Sequence, residues 1–207
     1  MNASEPWPAL GRSALNERQR ELWDELTLGP RGFYTGGAQA ERLPDLYNAW
    51  LQFPALGQEL LRLGDAVRHA SHLPGWAREL VVLVTSAWGK ARVEFDFHVP
   101  FAKNEGLADD LIAALRTGGQ PPFADDGQRV VWAANRELLE TATLSPGLRA
   151  EAIALLDWPG VMQLVATVML YTVTAWTTNV ARVKLAEDFA VEQGKLDAFF
   201  AGRDGNG

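Results

Sequence analysis

The chain of 207 residues contains no cysteine. That absence excludes thiol peroxidases, CxxC oxidoreductases, cysteine hydrolases, iron–sulfur proteins and Cys-ligated zinc sites. It also fits a reducing compartment, and a cytoplasmic location is expected. Histidine is scarce too, at three residues, so proton transfer near neutral pH has few places to reside. Basic charge is in deficit. Nineteen Lys and Arg against 26 Asp and Glu leave a net charge of −7, which argues against sequence-independent nucleic-acid binding and against an anionic membrane surface. The N-terminal residues lack the basic and apolar regions of a targeting signal. The most apolar stretch, 161–176, is interrupted by Gln163, Thr167, Thr172 and Thr174 and falls short of the ~20 residues that span a bilayer. It reads as a buried core helix, so no membrane partner is expected. GxGxxG, Walker and GxSxG motifs are all missing, and the glycine loop at 29–37 reads as a connection rather than a phosphate cradle. What remains is an acidic globular domain whose chemistry must rest on oxygen and nitrogen side chains.

What is present is helical nearly throughout. Ser13 is placed to cap a helix over 13–27 with Leu15, Leu22, Trp23 and Leu26 on one face. The region 44–69 contains Pro54 and therefore reads as two helices or a broken one. Pro74 opens a helix over 75–88, apolar on most faces and so central and buried. Its residues 80–84 are β-branched enough for a strand, but no turn interrupts the segment and no partner strand is evident. A helix from Lys90 follows, with Val93, Phe97 and Phe101 as its core face and Gly106 as terminator. Short helices are expected at 108–117, 126–140 and 146–156. A long one, capped by Asp157 near Pro159, runs towards Phe189. The tail 202–207 is expected to fray. The fold class is all-α, a single domain over 1–207 with its core at about 20–190.

Three polar residues are out of place in this pattern. Glu79 immediately precedes the apolar run of its helix, and a carboxylate buried without partners costs several kcal/mol. A salt bridge to Arg78 would relieve it. Glu94 and His98 are four apart and share a helix face at the core boundary. A carboxylate beside an imidazole raises its pKa and makes a proton donor poised near neutrality, although a surface i,i+4 pair has the same spacing. His69 and His72, three apart, would make a three-histidine metal site if they met His98; otherwise they end a helix and sit in a loop. Trp88 is the tryptophan nearest the cluster in sequence and a candidate pocket wall. Tyr171 and Asn179 lie on the last helix, from which they could reach the same place.

Together these segments resemble the carboxymuconolactone decarboxylase family, which includes the AhpD-like alkylhydroperoxidases. The resemblance is carried by Leu73-Pro74-Gly75-Trp76-Ala77-Arg78-Glu79-Leu80, by Glu94 to His98, by Ala102-Lys103-Asn104-Glu105-Gly106-Leu107 and by Ile112-Ala113-Ala114-Leu115. Gly29-Pro30-Arg31-Gly32 and Phe53-Pro54-Ala55-Leu56 look like the longer decarboxylase-like members. Glu79 and His98, nineteen apart, match the glutamate and histidine of the peroxidase branch, whose two cysteine positions are here Ala91 and Glu94. Peroxide reduction through a disulfide is thereby closed, and the chain resembles the cysteine-free, decarboxylase-like branch. Pro100, two residues after His98, departs from the pattern and is expected to kink or break its helix.

The resemblance implies an AhpD-like bundle of about eight helices. It also implies a homo-oligomer (trimer, hexamer or dimer), a helix-lined pocket for a small-molecule substrate, and no cofactor or metal. The implied activity is that of a lyase, decarboxylating a small unsaturated carboxylated metabolite of the kind met in aromatic catabolism. In that reading His98 supplies the proton, Glu94 orients it, and Glu79, with a raised pKa, is a second proton carrier. Arg78 or Arg92 engages a substrate carboxylate, while Trp88 and Tyr171 line the pocket. The same proton-transfer pair would serve an isomerase, a ring-opening hydrolase or a dehydrohalogenase. A helical binding or oligomerisation module without catalysis is the remaining alternative.

Overall fold

Helix signals read from the sequence recur as helices in the computed structural model, which describes residues 7–69 and 72–184. Nine helices are defined among the described residues: α1 Glu17–Leu28, α2 Gly32–Thr35, α3 Asp45–Trp50, α4 Pro54–His69, α5 Gly75–Trp88, α6 Arg92–Asn104, α7 Asp109–Thr117, α8 Asp126–Thr141 and α9 Pro146–Ala181. No strand occurs among them, and the run 80–84 lies within α5. The expectations for the tail 202–207 and for a last helix reaching Phe189 lie outside the described residues.

Two compact units are distinguished within the chain: Met1–Leu61 with Val180–Gly207, and Arg62–Asn179. In the first, α1 begins at Asn16 rather than at Ser13. The Asn16 side chain accepts from the Gln19 N–H, and the Gln19 side chain accepts from the Asn16 N–H. This reciprocal capping box satisfies two otherwise orphaned donors. Ser13 has no such partner and sits in a 3₁₀ turn, Arg12–Ala14. Leu22, Trp23 and Leu26 form the buried stripe of α1 as their spacing predicts. Pro54 opens α4, where its missing N–H costs nothing.

The second unit is built around α5, which packs against α6, α7 and α8. Residues Glu79 to Ser86 of α5 are all buried. Two buried amides tie the neighbouring elements down. The Asn135 Nδ2 on α8 donates to the Val81 carbonyl at 2.9 Å. On α9, Gln163 accepts from the Leu73 N–H and donates to the Val67 carbonyl, each at 2.8 Å. These two bonds tie α4 at Val67 and the chain at Leu73, just before α5, to α9. α6 is not broken at Pro100 but runs unbroken to Asn104, and Gly106 follows with φ 85°, the left-handed terminator its position suggests. α9 changes direction at Asp157, whose φ of 57° and ψ of −178° are non-helical. Its carboxylate accepts from the Gly160 N–H at 2.8 Å, so Asp157 caps the second half as expected.

Candidate active site

The second unit brings Glu79, Glu94 and His98 into direct contact. Glu79 projects from α5, and Glu94 and His98 from successive turns of α6. The buried side of α6 is mixed. Glu94, Phe95, His98 and Phe101 are enclosed, while Val93 and Phe97, also expected in the core, are half-buried. His98 is 2 % exposed and Glu79 1 %.

Both ring nitrogens of His98 are engaged. Nδ1 stands 2.9 Å from Glu79 Oε2, and Nε2 stands 3.3 Å from Glu94 Oε1. Glu79 Oε1 receives Arg78 Nε at 3.3 Å, and Arg78 Nη2 reaches Glu105 Oε1 at 3.5 Å. Burial alone would raise the Glu79 carboxyl. The His98 charge and hydrogen bond, with Arg68 and Arg78, outweigh it and hold the group down at about 2. Burial likewise disfavours the charged imidazole, but the charges and hydrogen bonds of Glu79 and Glu94 raise His98 above its ordinary value. The geometry lets a protonated imidazole donate to Glu79 from Nδ1 and to Glu94 from Nε2.

Aromatic rings surround the imidazole. Tyr171 meets it edge-on at 5.1 Å between centroids, and Phe101 and Phe97 lie at 5.3 Å and 5.5 Å. Burial pushes the Tyr171 phenol up, and Arg68 opposes this only in part, so it stays protonated. Its oxygen accepts from Arg68 Nη2 at 3.2 Å. The Arg68 guanidinium also lies over the Phe101 ring at 5.4 Å.

Several assignments made from sequence are corrected here. Glu79 is not a carboxyl of raised pKa but a fixed anion, because His98 and two arginines face it. Glu79, at 2.9 Å, is the closer orienting carboxylate, and Glu94 is the more distant one. Arg78 is committed to Glu79 and Glu105 rather than presented to a ligand. Arg92 is 86 % exposed and pairs with Asp96 on its own helix. Trp88 is 41 % exposed at the other end of α5 from Glu79; the apolar wall is supplied by Phe97, Phe101 and Tyr171. Asn179 bonds to the Gly89 carbonyl instead of reaching the site. His69 and His72 do not join His98: among the described residues no group of three or more ligating side chains is arranged to hold a metal ion. Arg68 is the member that sequence reasoning missed. It meets Tyr171 across 103 positions, and no local spacing signals such a contact.

No family model and no curated protein matches this sequence. Solved structures do. The chain is similar to the debrominase Bmp8 in its apo form, with 12% sequence identity and a TM-score of 0.64 over 90% of this chain and 95% of that one. It is also similar to a cysteine-to-alanine variant of that debrominase in complex with 2,3,4-tribromopyrrole, with 13% identity and a TM-score of 0.64 over 96% and 98% of the two chains. At such identities the likeness establishes architecture: this chain has the helical AhpD-like fold.

Proposed function

We propose that this chain is an enzyme of the AhpD-like fold that works by proton transfer from His98, and that its reaction is the decarboxylation of a small unsaturated carboxylic acid. The observation that carries the reading is the imidazole held at both nitrogens by carboxylates in an aromatic enclosure. A core without chemical work to do gains little from three ionisable groups, since apolar residues of similar volume are often as stable.

In this mechanism the C–CO₂⁻ bond breaks and its electron pair moves into a conjugated carbonyl, giving a dienolate and CO₂. His98 then gives its Nε2 proton to carbon and regains one from solvent. Nε2 is the working nitrogen because its contact with Glu94 is the longer one and is readily exchanged for substrate. Glu79 stays ionised throughout, fixes the ring through Nδ1 and stabilises the charged form. Phe97, Phe101 and Tyr171 exclude water, which favours loss of a charged carboxylate.

A second reading is favoured by the debrominase likeness. The same pair, with His98 neutral, would abstract a proton from a halogenated substrate as halide leaves and a C=C bond forms. The absence of cysteine closes any thiol route here.

Product analysis separates the two. A panel of unsaturated carboxylic acids and of bromoalkanes carrying a hydrogen β to bromine is scanned for CO₂ and for bromide. Positioned acid–base groups contribute about 10²–10⁴-fold, so H98A should lose that factor in turnover with its helical spectrum unchanged. Undiminished turnover in H98A removes His98 from the mechanism, whichever product is found.

A further inference from the structure

Tyr171 carries a donor that nothing in the site uses. Its phenol oxygen accepts from Arg68 Nη2 at 3.2 Å, and an arginine can only donate. Among the described residues this is the only hydrogen bond the hydroxyl makes, so the phenol's own proton has no acceptor there. Tyr171 is 5 % exposed. Buried donors are ordinarily satisfied, and an exception calls for an explanation.

The phenol also stands where a ligand of His98 would be. The Tyr171 and Phe101 rings both border the imidazole, at 5.1 Å and 5.3 Å between centroids. The Arg68 guanidinium joins these two rings, bonding to the Tyr171 oxygen and lying over Phe101 at 5.4 Å. Arg68, Phe101 and Tyr171 come from α4, α6 and α9, so the oxygen is held from three elements at the edge of the enclosure around His98.

We infer that Tyr171 receives the carbonyl of the substrate, its O–H donating to the oxygen on which electrons collect, with Arg68 as the residue that positions and polarises it. The inference rests on the decarboxylation reading and narrows it to acids whose carboxylate is β to a carbonyl, directly or through one C=C. As the C–CO₂⁻ bond breaks, its electron pair forms the C=C of an enolate and the carbonyl pair moves onto oxygen. Tyr171 donates a hydrogen bond to that oxygen and keeps its proton. His98 gives its Nε2 proton to carbon, the C=O re-forms, and solvent restores the proton to His98. Burial and the charges of Glu79 and Glu94 keep the phenol in its donating form. The Arg68 bond strengthens the O–H as a donor, as linked hydrogen bonds do in a medium of low dielectric. A fixed donor in a dry site is worth more to a developing oxyanion than water is. If Tyr171 and Arg68 merely tied α9 to α4, their loss would lower stability without distinguishing an anion from a neutral ligand.

The probe is 4-nitrophenolate, a planar delocalised oxyanion like the enolate, with 4-nitrotoluene as its neutral isostere. Both are titrated against the unaltered chain, Y171F, R68K and R68M. The unaltered chain should prefer the phenolate. Y171F, which keeps the ring, should bind it roughly ten- to hundred-fold more weakly and bind 4-nitrotoluene as before. R68K still donates to the phenol and should retain affinity that R68M loses. On an acid that releases CO₂, Y171F should lose about 10²–10³-fold in kcat with KM little changed. An unaltered chain without preference for the phenolate overturns the inference, as does a Y171F variant that binds both probes as the unaltered chain does. If Y171F does not keep its helical spectrum, equal phenolate affinity in R68K and R68M overturns it. CO₂ release that falls in H98A but not in Y171F overturns this inference and leaves the proposed function standing; release undiminished in H98A removes His98 itself.

Discussion

At the scale of single residues, the account rests on Glu79 and His98, each of which sets the other's charge. Glu79→Gln leaves an imidazole with one carboxylate and breaks a buried pair, a change that typically costs 3–5 kcal/mol. The loss depends on pH. Glu79 is lowered on folding to about 2, so its contribution is present above its ordinary 4.5 and disappears as pH falls towards 2. His98 is raised, so its contribution is present below 6.5 and disappears as pH rises through the higher folded value. The stability difference between the unaltered chain and E79Q, measured by urea unfolding, should therefore be greatest between pH 4.5 and 6.5. Because Glu79 acts through His98, turnover should report it too. The alkaline limb of the pH–rate profile should move to lower pH in E79Q, which a merely structural role would not do. The sequence made Glu79, Glu94 and His98 legible as polar residues inside apolar patterns. It did not show their roles, because direction of a pKa shift depends on what faces the group, and Arg68 and Tyr171 arrive from distant elements.

At the scale of elements, caps decide where helices start and turn. Asp157 does two things at once: it caps the second half of α9 and it holds φ at 57° with an extended ψ, a combination close to a region used almost only by glycine. Asp157→Ala keeps the strain and loses the cap, and should cost about 1 kcal/mol. Asp157→Gly loses the cap but relieves the strain, so its thermal midpoint should stay above that of the alanine variant. Equal midpoints would remove the strain from this description. Elements were the most legible level in the sequence. Prolines 54 and 74, Gly106 and Asp157 act locally, through φ and missing donors, and α4, α5, α6 and α9 turn where they stand. The misplaced start of α1 has a local cause as well. Ser13 and Asn16 are both good caps, and the Gln19 that completes the box belongs to Asn16. The rotated face of α6 has a tertiary cause: Phe101 is buried as its spacing suggests, but Val93 and Phe97 are only half so, because Glu79 on α5 supplies a partner that lets His98, with Glu94 one turn before it, take the interior.

At the scale of the whole molecule, every member of the site lies between residues 62 and 179, within one compact unit. α9 has Tyr171 against His98 on its inner face and the exposed Met162 and Met169 on its outer face. The all-helical class followed from periodicity, since no segment alternates as a strand does. The outer face of α9 was not legible. In a segment apolar on every side the pattern cannot say which face the chain itself covers.

The central claim is that His98 stands charged between two carboxylates inside the fold. With only three histidines in the chain, a titration of the ring nitrogens by heteronuclear NMR, with His98→Asn identifying the resonance, tests it directly. The account expects both ring N–H groups of His98 to be present at pH 6.5, with titration only above that value. A neutral His98 ring at pH 6.5 would contradict it.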